Sequence, residues 1–490
     1  MSGRTAWVLA DQLSHRNPAL EGADRVLLIE SEAKLRSGRF HRQKLHLVLS
    51  AMRHFARELE ERGVEVDYRR AGSLAAGLRV HVAQRHPDEV VLLEPTAARA
   101  AAVLDRLPKV RVLDGGLFLT SPADFAGWAQ GRKRLVMEGF YRWQRRRLDI
   151  LMDGDEPAGG AWNFDAANRR PPPRDRRPPK PYLPREDEID EAVRHDLDRL
   201  ALDTFGDDGP RLFPASRDQA LRALDRFVEH LLPDFGPWQD AMVAGERWMW
   251  HSRLSSSLNL GLLDPLECAR AAEQAYREGR VPIESAEGFV RQLIGWREYV
   301  WGMYRLHPDP PARRGRALPA LLHDGGPTRM RCLDDSLTGL RETGYAHHIE
   351  RLMLYGNLML LLGVSPRAAV DWFHHSFVDG YEWVMAPNVE GMALWADGGR
   401  MMTKPYAASG RYVDRMSTYC RECEYSPGER TGDGACPYTT LYWDYLDRNR
   451  EALSGNRRMQ LSLRNLERID DGELAEIRRR GARLRRRFTP

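Results

Sequence analysis

Hydrophobic and polar positions change period along this chain. Over roughly the first quarter, short apolar runs alternate with amphipathic stretches. Ala6–Ala10, Arg25–Ile29, Val64–Tyr68, Glu89–Leu93 and Val110–Leu113 are β-rich runs. Between them, Leu45, Val48, Leu49, Met52, Phe55, Ala56 and Leu59 fall at helical spacing, predicting a helix over 45–62. Alternation of this kind predicts a doubly wound parallel sheet. No GxGxxG follows the first strand, so the dinucleotide fingerprint is absent. A basic helix is expected within 120–152, where the chain reads GRKRLVMEGFYRWQRRRLDILM. Five prolines between Pro171 and Pro179 then impose an extended, non-helical linker.

From Ser216 onward the pattern is almost entirely helical. Ser216 to Gln219 fits a capping box, and further helices are expected at 264–278, 285–305, 334–362 and 366–379. The expected organisation is an α/β domain at 1–130, a basic helix and Pro-rich linker at 131–215, and a large all-α domain at 216–490.

Composition narrows the class. The chain has 490 residues, 42% of them apolar and 13 of them Trp, enough for more than one core. Lys plus Arg number 74 against 70 acidic residues, so net charge alone points to no polyanionic partner. The basic end RRRGARLRRRF reads as solvated surface or as a contact for nucleic-acid phosphate. No charged leader with an apolar run and no long apolar span is present, so a cytoplasmic protein without a membrane segment is expected. Five cysteines in so long a chain make no disulfide framework. Three of them, Cys420, Cys423 and Cys436, are clustered and one thiolate short of a zinc or iron–sulfur set. Cys268 falls on the apolar stripe of a helix and reads as a packed thiol.

Four segments of the helical half carry candidate chemistry. In HSRLSSSLNLGLL, His251, Ser252, Arg253, Leu254 and Ser255 could cradle a pyrophosphate with hydroxyls and backbone N–H groups; in isolation the stretch reads as a plain helix cap. FVRQLIGWREY carries Gln292 and Arg297, and GYAHHIERLM carries His347 and His348. The two histidines are adjacent, point about 100° apart on a helix, and lack metal-site spacing. YEWVMAPNVEGMALWADGG carries Tyr381, Glu382, Trp383 and Asn388, and Tyr406 follows in TKPYAASG.

Taken together, these segments resemble the photolyase/cryptochrome superfamily, and its bacterial iron–sulfur branch in particular. The likeness runs from DQL at 11–13 to DYLDRNREALSGN at 444–456 and includes SAMRHFARELEERG, WNFDAANR and AEGFVRQLIGWREY. The resemblance implies an α/β antenna domain joined to an α-helical FAD-binding domain. It implies FAD held by residues 251–255, Gln292, Arg297, Glu382 and Asn388, with Asn388 facing flavin N5. It implies Cys332 as the fourth ligand of a 4Fe–4S cluster, 88 residues before Cys420.

His348 matches the proton donor of (6-4) photolyases, with His347 and Tyr406 beside the substrate; the second His of animal-type members is Leu352 here. Gln292 stands where cyclobutane-type enzymes carry Glu, which favours the (6-4) lesion. The implied function is light-driven repair of UV-damaged DNA with the lesion flipped from the duplex, by a monomer. A cryptochrome-type photoreceptor on the same scaffold is the alternative, and an iron–sulfur DNA-binding protein without FAD is a third reading.

Two positions depart from the branch pattern. Its electron supply uses Trp372 with a second Trp before Cys332, yet LPALLHDGGPTRMRC has no aromatic, leaving Tyr381 and Trp383 as further carriers. Asp11 and Gln12 fit the site of a 6,7-dimethyl-8-ribityllumazine antenna, but Lys34 replaces an acid there.

Overall fold

The computed structural model describes residues 3–98, 100, 104, 107, 109–309 and 312–489. Five parallel strands, β1 (Arg4–Trp7), β2 (Arg25–Ser31), β3 (Glu65–Ala71), β4 (Glu89–Leu93) and β5 (Val110–Leu113), form one sheet in the order β3-β2-β1-β4-β5. Strand periodicity sets its two faces. Ala6, Val26, Leu28 and Val91 point into one apolar cluster, and Trp7, Leu27, Ile29, Val90 and Leu92 into another. The doubly wound sheet expected from the alternating pattern is present. Its strand order reverses at β1, and the loops after β1 and β4 flank that crevice, where α/β sheets bind ligands.

The helix Arg42–Glu61 is buried on nearly every side, because it lies between the sheet and the helical half. Lys44 shows how tightly. Its Nζ donates to the carbonyls of His374, at 2.5 Å, and Gly380, joining the α/β layer to the far helices. The cluster on that side of the sheet continues through residues 188–290, including Val193, Leu224 and Phe289 on helices and Trp250 in a turn. The extended segment 161–187 is held to the helical part by Arg253 donating to Tyr182 O and by the Arg176–Asp234 ion pair. Arg211 and Asp190 form a bidentate pair at 2.7 and 2.9 Å with almost no solvent contact, anchoring the helix Glu188–Leu200.

The chain departs from the expected elements in three places. The basic stretch 120–152 is two helices, Pro122–Ala129 and Met137–Leu148, not one. The expected helix 334–362 breaks after Thr343, where Gly344 takes a left-handed φ of 65° and a Cβ would meet Val378 at 2.9 Å. That break lets His347 and His348 start a new helix instead of continuing the old one. The basic end is a packed helix, Asp471–Phe488. Arg480 is buried against Ala435 and Thr440, and Arg478 and Arg485 pair with Asp447 and Asp444. Its arginines therefore serve partly to hold the fold, while Arg479, Arg483, Arg486 and Arg487 remain exposed.

Three segments are π-helical: Arg291–Arg297, Arg351–Gly356 and Asn388–Ala393. Widened turns give up regular i→i−4 bonding and gather at functional sites. All three border the same cavity. No described helix is long and apolar enough to cross a membrane.

Candidate active site: a deep cavity and a four-cysteine cluster

The cavity measures about 1190 Å³, above the roughly 300–1,000 Å³ usual for a small-molecule site. Its wall includes His251, Ser252, Arg253, Ser255, Gln292, Arg297, His348, Trp383, Asn388 and Tyr406, which arrive from five separated chain segments. Gln292 and His348 lie deep in the fold, yet their side chains keep accessible surface, because that surface faces the cavity.

One carboxylate ties three of these segments together. Asp379 accepts from Arg351 Nη1 at 2.9 Å and from Ser255 Oγ at 2.6 Å, and its backbone carbonyl accepts from Asn259 at 3.0 Å. Arg351 also donates to Ala346 O at 2.6 Å and lies over the Phe377 ring at 4.1 Å. Asn388 Nδ2 donates to Val384 O at 2.8 Å, which orients the side-chain carbonyl as the acceptor presented to a ligand. The Tyr406 loop is clamped by Asn357, whose amide exchanges two 3.0 Å bonds with the Ala408 backbone.

Several expected site residues are engaged elsewhere. Arg253 borders the cavity but has a left-handed φ of 58°, and its guanidinium donates to Leu212 O at 2.6 Å and to Tyr182 O, with Trp248 beneath it at 4.0 Å. It braces the linker rather than reaching for phosphate. Leu254 is core. Glu382 does not line the cavity; its carboxylate lies near the Tyr304 hydroxyl. His347 sits behind His348, stacked on His251 with ring centroids 4.7 Å apart. Tyr381 and Trp372 are also outside the cavity wall. Lys44 lies over the Tyr381 ring, and Trp372 donates to Leu322 O at 3.2 Å.

The wall also holds residues that carried no expected role. Asp379 stands three positions before Glu382, outside the quoted motifs, and Arg351 lies inside GYAHHIERLM behind the histidine pair. At the mouth, Arg169, Lys404, Arg415 and Arg458 accompany Tyr406 and Tyr412. Asp165 and Asp240 face one another there, and burial together with Asp165 pushes the Asp240 carboxyl up to about 6.

Near the end of the sheet, Thr96 donates to Asp11 at 2.5 Å, placing Asp11 in the crevice between β1 and β4. Gln12 donates to Leu93 O and Glu94 O and so fastens the loop after β1 to the end of β4.

Cys332, on the helix Arg331–Thr343, faces the loop that carries Cys420, Cys423 and Cys436. Burial, then each of the other three thiols, raises the Cys332 pKa. Gly410 lets Cys436 in: a Cβ there would lie 2.8 Å from its Sγ. Cys268 is buried elsewhere, in the sheet-side cluster. Among the described residues, no three cysteine sulfurs come within 4.8 Å of one another. A single zinc with Zn–S bonds of about 2.3 Å would need them roughly 3.8 Å apart. The sulfurs are thus not drawn in to the spacing of a single tetrahedral ion.

Burial dominates the histidines. It holds His251 near 3 and His348 near 4, the latter with help from Arg351, and keeps His347 below its usual range. His41 and His375 are likewise held near 4 by burial. These rings stay neutral in the fold but bind protons near 6.5 in the unfolded chain. Their contribution to stability is therefore complete above 6.5 and is lost as pH falls toward 4. The melting temperature should fall between roughly pH 7 and pH 5, and a pH-independent value would contradict this.

Comparison with known proteins places the chain. A family model described as deoxyribodipyrimidine photo-lyase-related protein matches residues 6–212. A (6-4) photolyase of Agrobacterium fabrum is 41% identical over 501 residues, covering 98% of this chain and 99% of that protein. An uncharacterised protein of Acanthamoeba polyphaga mimivirus is 33% identical over 22% of this chain. The crystal structure of a bacterial class III photolyase from Agrobacterium tumefaciens superposes with a TM-score of 0.59 at 16% identity, over 99% of this chain and 97% of that one, which shows a shared fold. With likeness of this extent across both halves, the chain belongs to the bacterial branch of the photolyase/cryptochrome superfamily.

Proposed function

We propose that the protein repairs (6-4) pyrimidine–pyrimidone photoproducts in UV-damaged DNA, using light and a bound, reduced FAD. The observation that carries this reading is the convergence of Gln292, His348, Asn388 and Tyr406 on one cavity with a basic mouth.

The residues fit a flavin. His251 Nε2 and Arg297 Nε are buried polar atoms with no protein partner, and both belong to wall residues. Asn388 offers an acceptor to an N–H, while Arg351 with Asp379 and Ser255 supply a charged and polar flank. Photoexcited reduced flavin would lend one electron to the lesion and receive it back. The protein supplies everything else. Arg169, Lys404, Arg415 and Arg458 would hold the DNA phosphates, and Tyr406 and Tyr412 would support the extruded bases. Gln292, an uncharged amide, can both donate to and accept from the altered pyrimidine.

His348 supplies the proton at its imidazole N–H. The protein alone holds it neutral, so negative charge brought by DNA and cofactor phosphates is what shifts it toward the protonated form. Thiols held free for a metal centre suit the reducing cytoplasm. The photoreceptor alternative would share the flavin residues but leave the basic mouth and His348 without a task.

We further propose that Cys332, Cys420, Cys423 and Cys436 bind a 4Fe–4S cluster. Sulfurs not drawn in to single-ion spacing favour a cluster over one zinc, and its positive iron would offset the burial that now disfavours the thiolates. The Asp11 crevice is proposed as the seat of a ribityllumazine antenna; Lys34 contributes positive charge there.

Illumination of reduced, flavin-loaded protein with an oligonucleotide carrying one (6-4) lesion should restore both pyrimidines. His348→Ala should abolish repair while flavin and DNA remain bound; repair at the original rate would remove the proposed proton donor. Iron and sulfide analysis tests the cluster. Cys332→Ser should lose both, whereas zinc in the purified protein, or full iron in the variant, would defeat the assignment.

A further inference from the structure

The aromatic side chains around the cavity form two separate groups, and they differ in what they can do. Among the aromatic rings of the described residues, Trp372 pairs with Tyr355, Phe373 and Phe377, at 5.4, 4.9 and 5.6 Å. It stands outside the cavity wall, and no aromatic occupies 318–331 to continue it outward.

Trp383 is different, because it is part of the cavity wall. Its ring centroid lies 6.2 Å from that of Trp301, and Trp301 lies 6.2 Å from Tyr304. Phe118 fills the angle between the two indoles, stacked on Trp301 at 4.0 Å and edge-on to Trp383 at 4.8 Å. All three carriers are nearly closed to solvent. The Tyr304 hydroxyl accepts from Ala98 N at 3.1 Å, at the junction with the α/β layer.

We propose that Trp383, Trp301 and Tyr304 supply electrons to the flavin, with Glu382 receiving the phenol proton of Tyr304. The route rests on the flavin assignment above. One electron leaves Trp383 for the photoexcited, oxidised isoalloxazine, which is the oxidant. Trp301 refills Trp383, and Tyr304 refills Trp301. As its electron leaves, Tyr304 releases its O–H proton to the Glu382 carboxylate. The sequence ends with one electron on the flavin, a neutral tyrosyl radical and a protonated Glu382. An external thiol then returns a hydrogen atom to Tyr304, and Glu382 gives its proton to water.

The electrostatics run in the same direction. Electron tunnelling falls exponentially with distance, so neighbouring rings outpace a single long jump. Arg297 lies 5.3 Å from the Trp383 ring and Arg305 lies 5.4 Å from the Trp301 ring. A cation over an indole disfavours positive charge on it. Each arginine is partly neutralised, Arg297 by Glu298 at 2.7 Å and Arg305 by Glu94, which keeps the steps passable. The hole is thus driven outward to Tyr304, where loss of a proton removes the charge. Glu382 precedes Trp383 on the helix Glu382–Pro387, which packs on the helix Glu298–Leu306 that carries Trp301 and Tyr304; in keeping with that placement, burial first, and then Glu382, push the Tyr304 phenol up to about 12. This gives Glu382 a task that its position outside the cavity wall otherwise lacks.

The test uses the oxidised, flavin-loaded protein under blue light with dithiothreitol as the thiol. Transient absorption and electron paramagnetic resonance follow the radicals in wild type, Trp301→Phe, Tyr304→Phe and Trp372→Phe. Flavin content and circular dichroism establish first that each variant is folded and loaded. Wild type should show a tryptophan radical giving way to a tyrosyl radical. Tyr304→Phe, which deletes only a hydroxyl, should lose the tyrosyl signal, and its tryptophan radical should decay instead by recombination with the flavin, so that the charge-separated state ends sooner than in wild type. Trp301→Phe should lose the tyrosyl signal and the long-lived charge separation. Both should repair normally once their flavin is reduced chemically. Wild-type radical yields in Trp301→Phe and Tyr304→Phe, or a loss confined to Trp372→Phe, would overturn the route. A wild-type preparation without a flavin band would instead defeat the cofactor assignment on which the route rests.

Discussion

The Asp379 carboxylate is the joint on which the cavity depends. It binds Arg351 from the helix that carries His348, and Ser255 from the stretch expected to hold pyrophosphate. Its own backbone carbonyl receives Asn259, and the next residue, Gly380, receives Lys44 from the α/β layer. Four parts of the chain meet at this point. A charged pair in so little water repays its desolvation only when the remaining donors and acceptors are satisfied. Here Arg351 is further engaged by Ala346 and Phe377, so the pair is held rigidly. Breaking it would free the three walls of the cavity from one another.

The widened helical turns express the same constraint. A regular helix cannot present Gln292 and Arg297, or Arg351 and Leu352, to one cavity while also keeping its apolar stripe in the core. The π-helical segments make that compromise within otherwise buried helices. They also explain why the cavity is large. Backbone geometry opens it, and bulky residues such as Trp383 and Tyr406 shape its wall. The cysteine centre lies apart from this, where Gly410 permits close approach and the helix Arg331–Thr343 brings Cys332 to the C-terminal loop.

Much of the architecture was legible in the sequence, for a physical reason. Alternating strands such as Arg25–Ile29 and the periodic stripe of Leu45 to Leu59 bury residues at fixed spacing, and burial leaves a pattern. The cavity was legible only where motifs carried it: Ser252, Ser255, Gln292, His348, Asn388 and Tyr406 all reach the wall. Contacts that depend on backbone conformation were not legible. Nothing in HSRLS states that Arg253 adopts a left-handed φ and turns to the linker. Nothing in YEWVM states that Glu382 faces Tyr304 rather than the cavity. The basic C-terminal stretch misled for a related reason. Charge density alone does not reveal that Asp444 and Asp447 lie on the neighbouring helix to receive it.

Because Asp379 holds the walls of the flavin site together, the flavin itself reports on it. The decisive measurement is the flavin-to-protein ratio of purified Asp379→Asn, which keeps the shape of the side chain and removes its charge. The variant should retain native helical content and lose most of its flavin. Asp379→Asn with a full complement of flavin would contradict the central role given to this carboxylate.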